Sequence, residues 1–253
     1  MSSSASAGRA VVVGATSGVG RALARSLAAA GQDLVIAARD RAELDVVAAD
    51  IVFRHGRSCH ALGQDIADPA WDAEAFAAAC FEKLGGSVDC LFVPAGGARE
   101  DDRGPNPAVV APVAGLNFVG PARLGAAFAR RMERAGNGAI VFVSSIAAAA
   151  PRSENSAYSA AKAALEVYAA GLRHALEPRG VRVISAVLGY VDTPQSFGRE
   201  FALPVAAPEA VAERLIQLSR GPGGTYHLPR FWWLVTTTLR ALPWTVYRHL
   251  FRK

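Results

Sequence analysis

The chain has 253 residues, 51% of them apolar and 19% charged, a balance that excludes a disordered or fibrous protein and suits a single domain with a large core. The formal net charge of +5 lies entirely in the segment from Pro229 onward, and elsewhere basic and acidic residues balance, which argues against nucleic acid as a partner. The three cysteines, Cys59, Cys80 and Cys90, and the five scattered histidines show neither metal-ligand spacing nor a disulfide framework, so reduced thiols and no metal are expected.

Residues 1–8 are rich in Ser and Ala and read as a disordered N-terminus. They lack the basic and apolar regions of a secretory signal, so the cytoplasm is the expected location. Arg9 to Val13 reads as a buried strand running straight into Gly14-Ala15-Thr16-Ser17-Gly18-Val19-Gly20, with a helix over Arg21 to Ala30. Glycines at 14, 18 and 20 allow a tight turn and let the backbone approach a pyrophosphate, whose charge the helix N-terminus meets. That is the pattern of a dinucleotide site; the bland alternative is a merely structural strand-to-helix turn.

Further apolar strands read at Leu34 to Ala38, Cys90 to Pro94, Ala139 to Ser144 and Val181 to Leu188. Helices read at Arg41 to Phe53, Trp71 to Leu84, Pro121 to Ala135, Ser156 to Leu172 and Pro208 to Ser219. The alternation predicts a single α/β domain over 9–228, a Rossmann-type doubly wound parallel sheet with helices on both faces. Arg99 to Pro112 is charged and Pro-rich, and reads as a loop at the pocket rim.

Within the Ala-rich helix at 156, Tyr158 and Lys162 stand four residues apart, on one face and one turn apart. A free phenol has a pKa of about 10 and is a poor acid-base group near neutrality unless a nearby cation favours the phenolate. Lys162 can be that cation. Only three lysines occur, Lys83, Lys162 and Lys253, among otherwise arginine cations, and a guanidinium fork is no substitute for a compact ammonium. The alternative is a packed Tyr beside a surface Lys on an ordinary amphipathic helix.

These motifs resemble those of the short-chain dehydrogenase/reductase family over nearly the whole chain. Gly14, Gly18 and Gly20 match its cofactor turn, and Ser145, Tyr158 and Lys162 match its catalytic serine, tyrosine and lysine in order and spacing. Asn117, in Gly115-Leu116-Asn117-Phe118-Val119-Gly120, falls where the family places the asparagine of its tetrad. The resemblance implies that Tyr158 protonates the carbonyl oxygen, Ser145 holds that oxygen, Lys162 anchors the ribose and lowers the tyrosine pKa, and Asn117 holds a relay water. Thr16, Ser17 and Val19 fall within its cofactor turn, and Asp65-Ile66 matches its adenine-contacting pair, with an exposed capping Asp as the alternative. The resemblance also implies a homodimer or homotetramer.

Two segments depart from the family pattern. Val93-Pro94-Ala95-Gly96 replaces Asn-Asn-Ala-Gly, keeping the close approach of Ala95 and Gly96 but losing an amide and a backbone donor. Leu188-Gly189 replaces Pro-Gly, while Val191 and Thr193 keep the nicotinamide-facing positions. Cofactor choice turns on Arg39 and Asp40 after the second strand. NAD-specific folds place an acid there for the ribose hydroxyl, whereas the Arg39 guanidinium suits a 2′-phosphate. NADP(H) is therefore favoured over NAD(H), with Asp40 dissenting.

The pocket is expected along Ile146 to Arg152, the 96–106 loop and Pro194 to Pro208, with Phe197, Phe201 and Leu203. These mostly small or apolar positions suit a hydrophobic carbonyl or alcohol substrate. The tail, 229–253, mixes Arg230, Arg240, Arg248, Arg252 and Lys253 with Trp232, Trp233, Trp244 and several aliphatic residues, and has no acid. Such a composition suits an in-plane helix on an anionic bilayer, or packing against a neighbouring subunit. The altered 93–94 segment and this tail also leave open a non-catalytic NADP(H)-binding sensor or partner-binding protein, against which the complete set Asn117, Ser145, Tyr158 and Lys162 argues.

Overall fold

The computed structural model describes residues 8–99, 102, 106–150, 152–193 and 203–250. Strands β1 (Arg9–Val13), β2 (Asp33–Ala38), β3 (Cys59–Gly63), β4 (Cys90–Val93), β5 (Gly138–Ser145), β6 (Val181–Leu188) and β7 (Gly224–Leu228) form one parallel sheet in the order β3-β2-β1-β4-β5-β6-β7. The central strands are buried on both faces, which is why β1, β4 and β5 read as unbroken apolar runs. The chain leaves β3 at one edge and re-enters at β4 beside β1. That reversal opens a crevice at the carboxyl ends of β1 and β4, where ligands bind in doubly wound sheets.

Helices α1 (Gly18–Ala29), α2 (Arg41–His55), α3 (Ala73–Lys83), α4 (Pro107–Ala114), α5 (Gly120–Ala135), α6 (Ser156–Leu176) and α7 (Pro208–Arg220) cover the sheet. One core cluster joins Leu23, Leu27, Ile36, Phe92 and Leu215; the other, on the opposite face, joins Leu91, Phe128, Phe142 and Leu165. β3 and β7 escaped the sequence reading because each is a short, half-exposed edge strand with polar residues, so neither shows the period or the apolar run that marks a strand.

The expected loop over Arg99 to Pro112 is corrected in its second half. α4 starts at Pro107, with the Asn106 side chain accepting from the Ala108 N–H at 3.1 Å. Proline at the first helical position has no N–H to strand, so the Pro content that suggested a loop is compatible with a helix start. α4 continues through a π turn, Gly115–Val119, into α5. The 107–135 run is long and apolar enough to cross a membrane, yet Val109, Val113, Asn117, Leu124 and Phe128 are buried in the domain, as in a core helix.

The tail forms α8 (Trp232–Ala241) and α9 (Trp244–Leu250). Trp232, Thr236 and Arg240, one turn apart, face the chain's own domain. Trp232 and Thr236 are buried, Thr236 Oγ1 lies 3.0 Å from His227 Nε2 on β7, and Arg240 pairs with Glu166 on α6. Trp233 and Leu234 of α8 and Trp244 and Val246 of α9 are exposed.

Candidate active site

The glycine turn takes the shape its spacing implies. Gly14 has φ +101°, and a Cβ there would lie 2.8 Å from the Ala95 backbone. A Cβ on Gly20 would lie 2.0 Å from the Gly14 carbonyl oxygen. Ser17 caps α1, accepting from the Gly20 N–H at 3.1 Å and donating to the Gly14 carbonyl at 2.7 Å. The first turn of α1 carries no acid, so its free N–H groups make the cradle electropositive. A Cβ on Gly18 would touch the Thr193 methyl at 3.0 Å, which joins the post-β6 segment to the turn. Only bare backbone fits here, as a pyrophosphate cradle requires.

Arg39 is exposed at the end of β2. Asp40 is occupied as the N-cap of α2, accepting from the Glu43 N–H at 3.0 Å. Asp65 Oδ1 accepts from the Ala67 N–H at 2.9 Å, a local turn, and Ile66 is buried beside Gly120. Val191 bridges to Ala206, and the Asp192 N–H donates to the Ala206 carbonyl at 2.9 Å. Thr16 and Val19 lie in the turn and the first turn of α1.

The residues expected to be catalytic come from three elements. Ser145 ends β5, Tyr158 and Lys162 lie on α6, and Asn117 sits in the π turn, a helix defect frequent at functional sites. Lys162, 3% exposed, donates from Nζ to the Val143 carbonyl at 2.9 Å and lies 5.8 Å from the Tyr158 ring centre. Asn117 accepts from the Gly97 N–H at 2.9 Å and donates to the Gly97 and Val113 carbonyls, each at 3.0 Å. The asparagine thus ties the post-β4 segment to the helix. Gly96, at φ +152°, leaves room for both heads, since a Cβ there would lie 2.6 Å from Lys162 Nζ and 2.8 Å from Asn117 Oδ1.

Burial pushes the Tyr158 phenol up, and the Ser145 hydrogen bond pulls it down. Burial pushes the Lys162 ammonium down to about 8, against the raising pull of Glu166. In this arrangement the Lys162 ammonium bonds a backbone carbonyl, and the hydrogen bond that lowers the phenol comes from Ser145. The thiols take no part, because burial raises Cys59 and Cys80 to about 12 and Cys90 further.

Sequence reasoning missed three contributors. Asp102, 1% exposed, accepts from the Ala157 N–H at 3.2 Å and the Tyr158 N–H at 2.9 Å. It caps α6 from the loop before α4, but in Glu100-Asp101-Asp102 nothing distinguishes it from its neighbours. Trp232 fills the open face of Gly189, where a Cβ would meet its Nε1 at 1.9 Å, and packs edge-on against Tyr190 at 5.2 Å. Glycine is required at 189 by the tail indole, which no local spacing reveals. Glu166 links Ser144 to the tail. Among the expected pocket residues, Ile146–Ala148 form a short turn after Ser145 and Leu203 is exposed. Residues 194–202, with Phe197 and Phe201, and 100, 101 and 103–105 lie outside the described residues.

A sheet of this order, with a glycine cradle and a phenol-amine pair at its crevice, is that of an oxidoreductase working with a nicotinamide dinucleotide. The chain belongs to the short-chain dehydrogenase family, whose sequence model matches residues 9–199. It is 34% identical to cis-4-hydroxycyclohexanecarboxylate dehydrogenase of Sinomonas cyclohexanicum, over 83% of this chain and 88% of that one. A short-chain dehydrogenase from Sphingobium yanoikuyae in complex with NADPH superposes with a TM-score of 0.76 at 28% identity, covering 92% and 93% of the two chains. A bulky-bulky ketone specific alcohol dehydrogenase from Comamonas testosteroni gives 0.76 at 25% identity, with 92% of each chain covered.

Proposed function

We propose that the protein is an NADP(H)-dependent oxidoreductase that interconverts a carbonyl and a secondary alcohol on a hydrophobic substrate, with Tyr158 as the acid/base. The observation that carries this reading is the convergence of the Tyr158 phenol, the Ser145 hydroxyl and the buried Lys162 ammonium beside the crevice lined by Gly14 and Ala95. When bound, the cofactor supplies or accepts the hydride. Tyr158, protonated near neutral pH, gives its proton to the carbonyl oxygen in reduction and retrieves it in oxidation, while Ser145 donates to the same oxygen. Gly14, Thr16, Ser17, Gly18, Val19 and Gly20 would hold the pyrophosphate. Asp65 and Ile66 would flank the adenine, with Ala95, Gly96, Gly189, Val191 and Thr193 around the nicotinamide and its ribose.

Preference for NADP(H) is supported by exposed Arg39 and by the engagement of Asp40 as a helix cap. Arg39→Asp is expected to raise the KM for NADPH about 10- to 100-fold, the worth of a charged hydrogen bond, and to leave NADH little changed. The test of the whole reading is consumption of NADPH and NADH over ketones graded from small and polar to long-chain and polycyclic. Turnover confined to bulky apolar members supports it; nucleotide binding with no turnover on any member favours the alternative, a non-catalytic NADP(H)-binding sensor or partner-binding protein. The alcohol dehydrogenase of Comamonas, described as bulky-bulky ketone specific, supports the substrate class.

Residues 9–228 form the catalytic unit in this proposal, and 229–253 give a cytoplasmic homodimer or homotetramer its contact with a membrane surface. Exposed Trp233, Leu234, Trp244 and Val246, at 59%, 64%, 69% and 46%, with Arg230 and Arg248 beside them, suit the interface of an anionic bilayer. Full-length protein should sediment with phosphatidylserine vesicles, more weakly at high salt, and Trp233→Ser with Trp244→Ser should abolish it. Equal sedimentation of that double variant would reject the contact.

A further inference from the structure

Glu166 lies one turn beyond Lys162 on the same face of α6, with a side chain 12% exposed. Both carboxylate oxygens are engaged. Oε1 accepts from Ser144 Oγ at 2.7 Å, and Oε2 accepts from Arg240 Nη2 at 2.9 Å. Ser144 sits between Val143, whose carbonyl takes Lys162 Nζ, and Ser145, and its hydroxyl also reaches the Lys162 carbonyl at 3.4 Å. A carboxylate is thus clamped between the strand that carries the serine, the helix that carries the tyrosine and lysine, and the tail.

We propose that Glu166 is a positioning residue that keeps the Lys162 ammonium charged in its buried seat, and that Arg240 of the tail sets how strongly it does so. The proposal rests on the reading that Lys162 serves turnover, but it can fail separately. Burial alone would drive the amine neutral, and Glu166 opposes this. Around Lys162, α6 itself offers Tyr158 and Glu166, β5 the uncharged Ser144 and Ser145, and the π turn the uncharged Asn117. Next to Glu166, β7 offers His227, which burial pushes down, and α8 offers Arg240. Glu166 is the charge among the described residues that acts on Lys162. Arg240 offsets part of its field, so the two should act with opposite sign. A surface glutamate one turn from a lysine would be hydrated and would act weakly.

The three lysines, Lys83, Lys162 and Lys253, make the state of Lys162 directly readable. Protein labelled with 13C at the lysine ε-carbon should give three resonances, with Lys162→Met identifying the buried one. The wild-type Lys162 titration should lie near pH 8. Glu166→Gln, which keeps an acceptor for Ser144, should shift it to lower pH by about one unit, and Arg240→Gln should shift it to higher pH. The alkaline limb of ketone reduction should move in the same two directions. An unmoved Lys162 titration in Glu166→Gln would overturn the inference even if turnover persists. Shifts of the same sign in both variants would mark a packing effect and overturn it equally. A moved titration in a protein that turns over nothing would instead reject the catalytic reading and leave the electrostatic link standing.

Discussion

Lys162→Met is expected to bind nucleotide at least about tenfold more weakly and to reduce ketones roughly 10²- to 10⁴-fold more slowly than the wild type, the range of a lost proton-transfer component, while remaining folded. The side chain is 3% exposed and ends among the Val143 carbonyl, Gly96 and Asn117, so no mobile cation can take its place. Methionine fills similar volume without burying a charge. The sign of the accompanying pH effect follows from the shift. In the folded state Lys162 titrates at about 8, against an ordinary lysine value of 10.5, so between those values the unfolded chain holds the proton that the folded chain has lost. Wild-type stability therefore receives a contribution from this group that rises with pH from about 8 to 10.5. The Met variant should lack that rise. Fluorescence titration with NADPH, initial rates, and urea midpoints at pH 7.5 and 10 check the three parts.

Asp102→Ala is expected to destabilise the fold by about 2–3 kcal/mol and to lower kcat about 10- to 100-fold, with NADPH affinity nearly unchanged. Asn155, which precedes α6, gives no side-chain cap, because its oxygen accepts from Ser159 Oγ at 3.1 Å. Asp102 supplies the cap instead, taking the Ala157 and Tyr158 N–H groups. A lost cap costs about 1–2 kcal/mol, and donors left buried add about 1–3 kcal/mol for each that water cannot reach. Fraying the first turn would misplace Tyr158 itself, whose acid-base action depends on sub-ångström placement. Asp102→Asn, which can still accept one of the two bonds, should recover part of both losses. Urea midpoints and kcat on one ketone suffice; an unaltered kcat in Asp102→Ala would show that Tyr158 does not need this clamp.

The central parallel sheet and the glycine turn were legible because their causes are local. Continuous apolar runs report strands buried on both faces, Gly14 is called for by its positive φ, and Gly20 by the Gly14 carbonyl close by in the chain. Tyr158 and Lys162 were legible through helical spacing, and Asn117 and Ser145 through resemblance. What escaped was set by distant contacts. Asp102 caps a helix far along the chain, Gly189 is shaped by Trp232, and Glu166 gains its partners from β5 and α8. The edge strands β3 and β7 lacked apolar periodicity because each meets the sheet on one side only. The tail's composition announced an amphipathic segment, but only the fold shows which face turns inward, since Trp232 and Trp233 are adjacent in sequence, yet the first is buried and the second exposed.

The most direct test of the proposed chemistry is a single turnover of Tyr158→Phe preloaded with NADPH. The phenyl ring keeps the packing beside Lys162, so the variant should bind NADPH within about twofold of the wild type while its reduction of a bulky ketone falls roughly 10²- to 10⁴-fold. Reduction by Tyr158→Phe at the wild-type rate would contradict the assignment of this tyrosine as the proton donor.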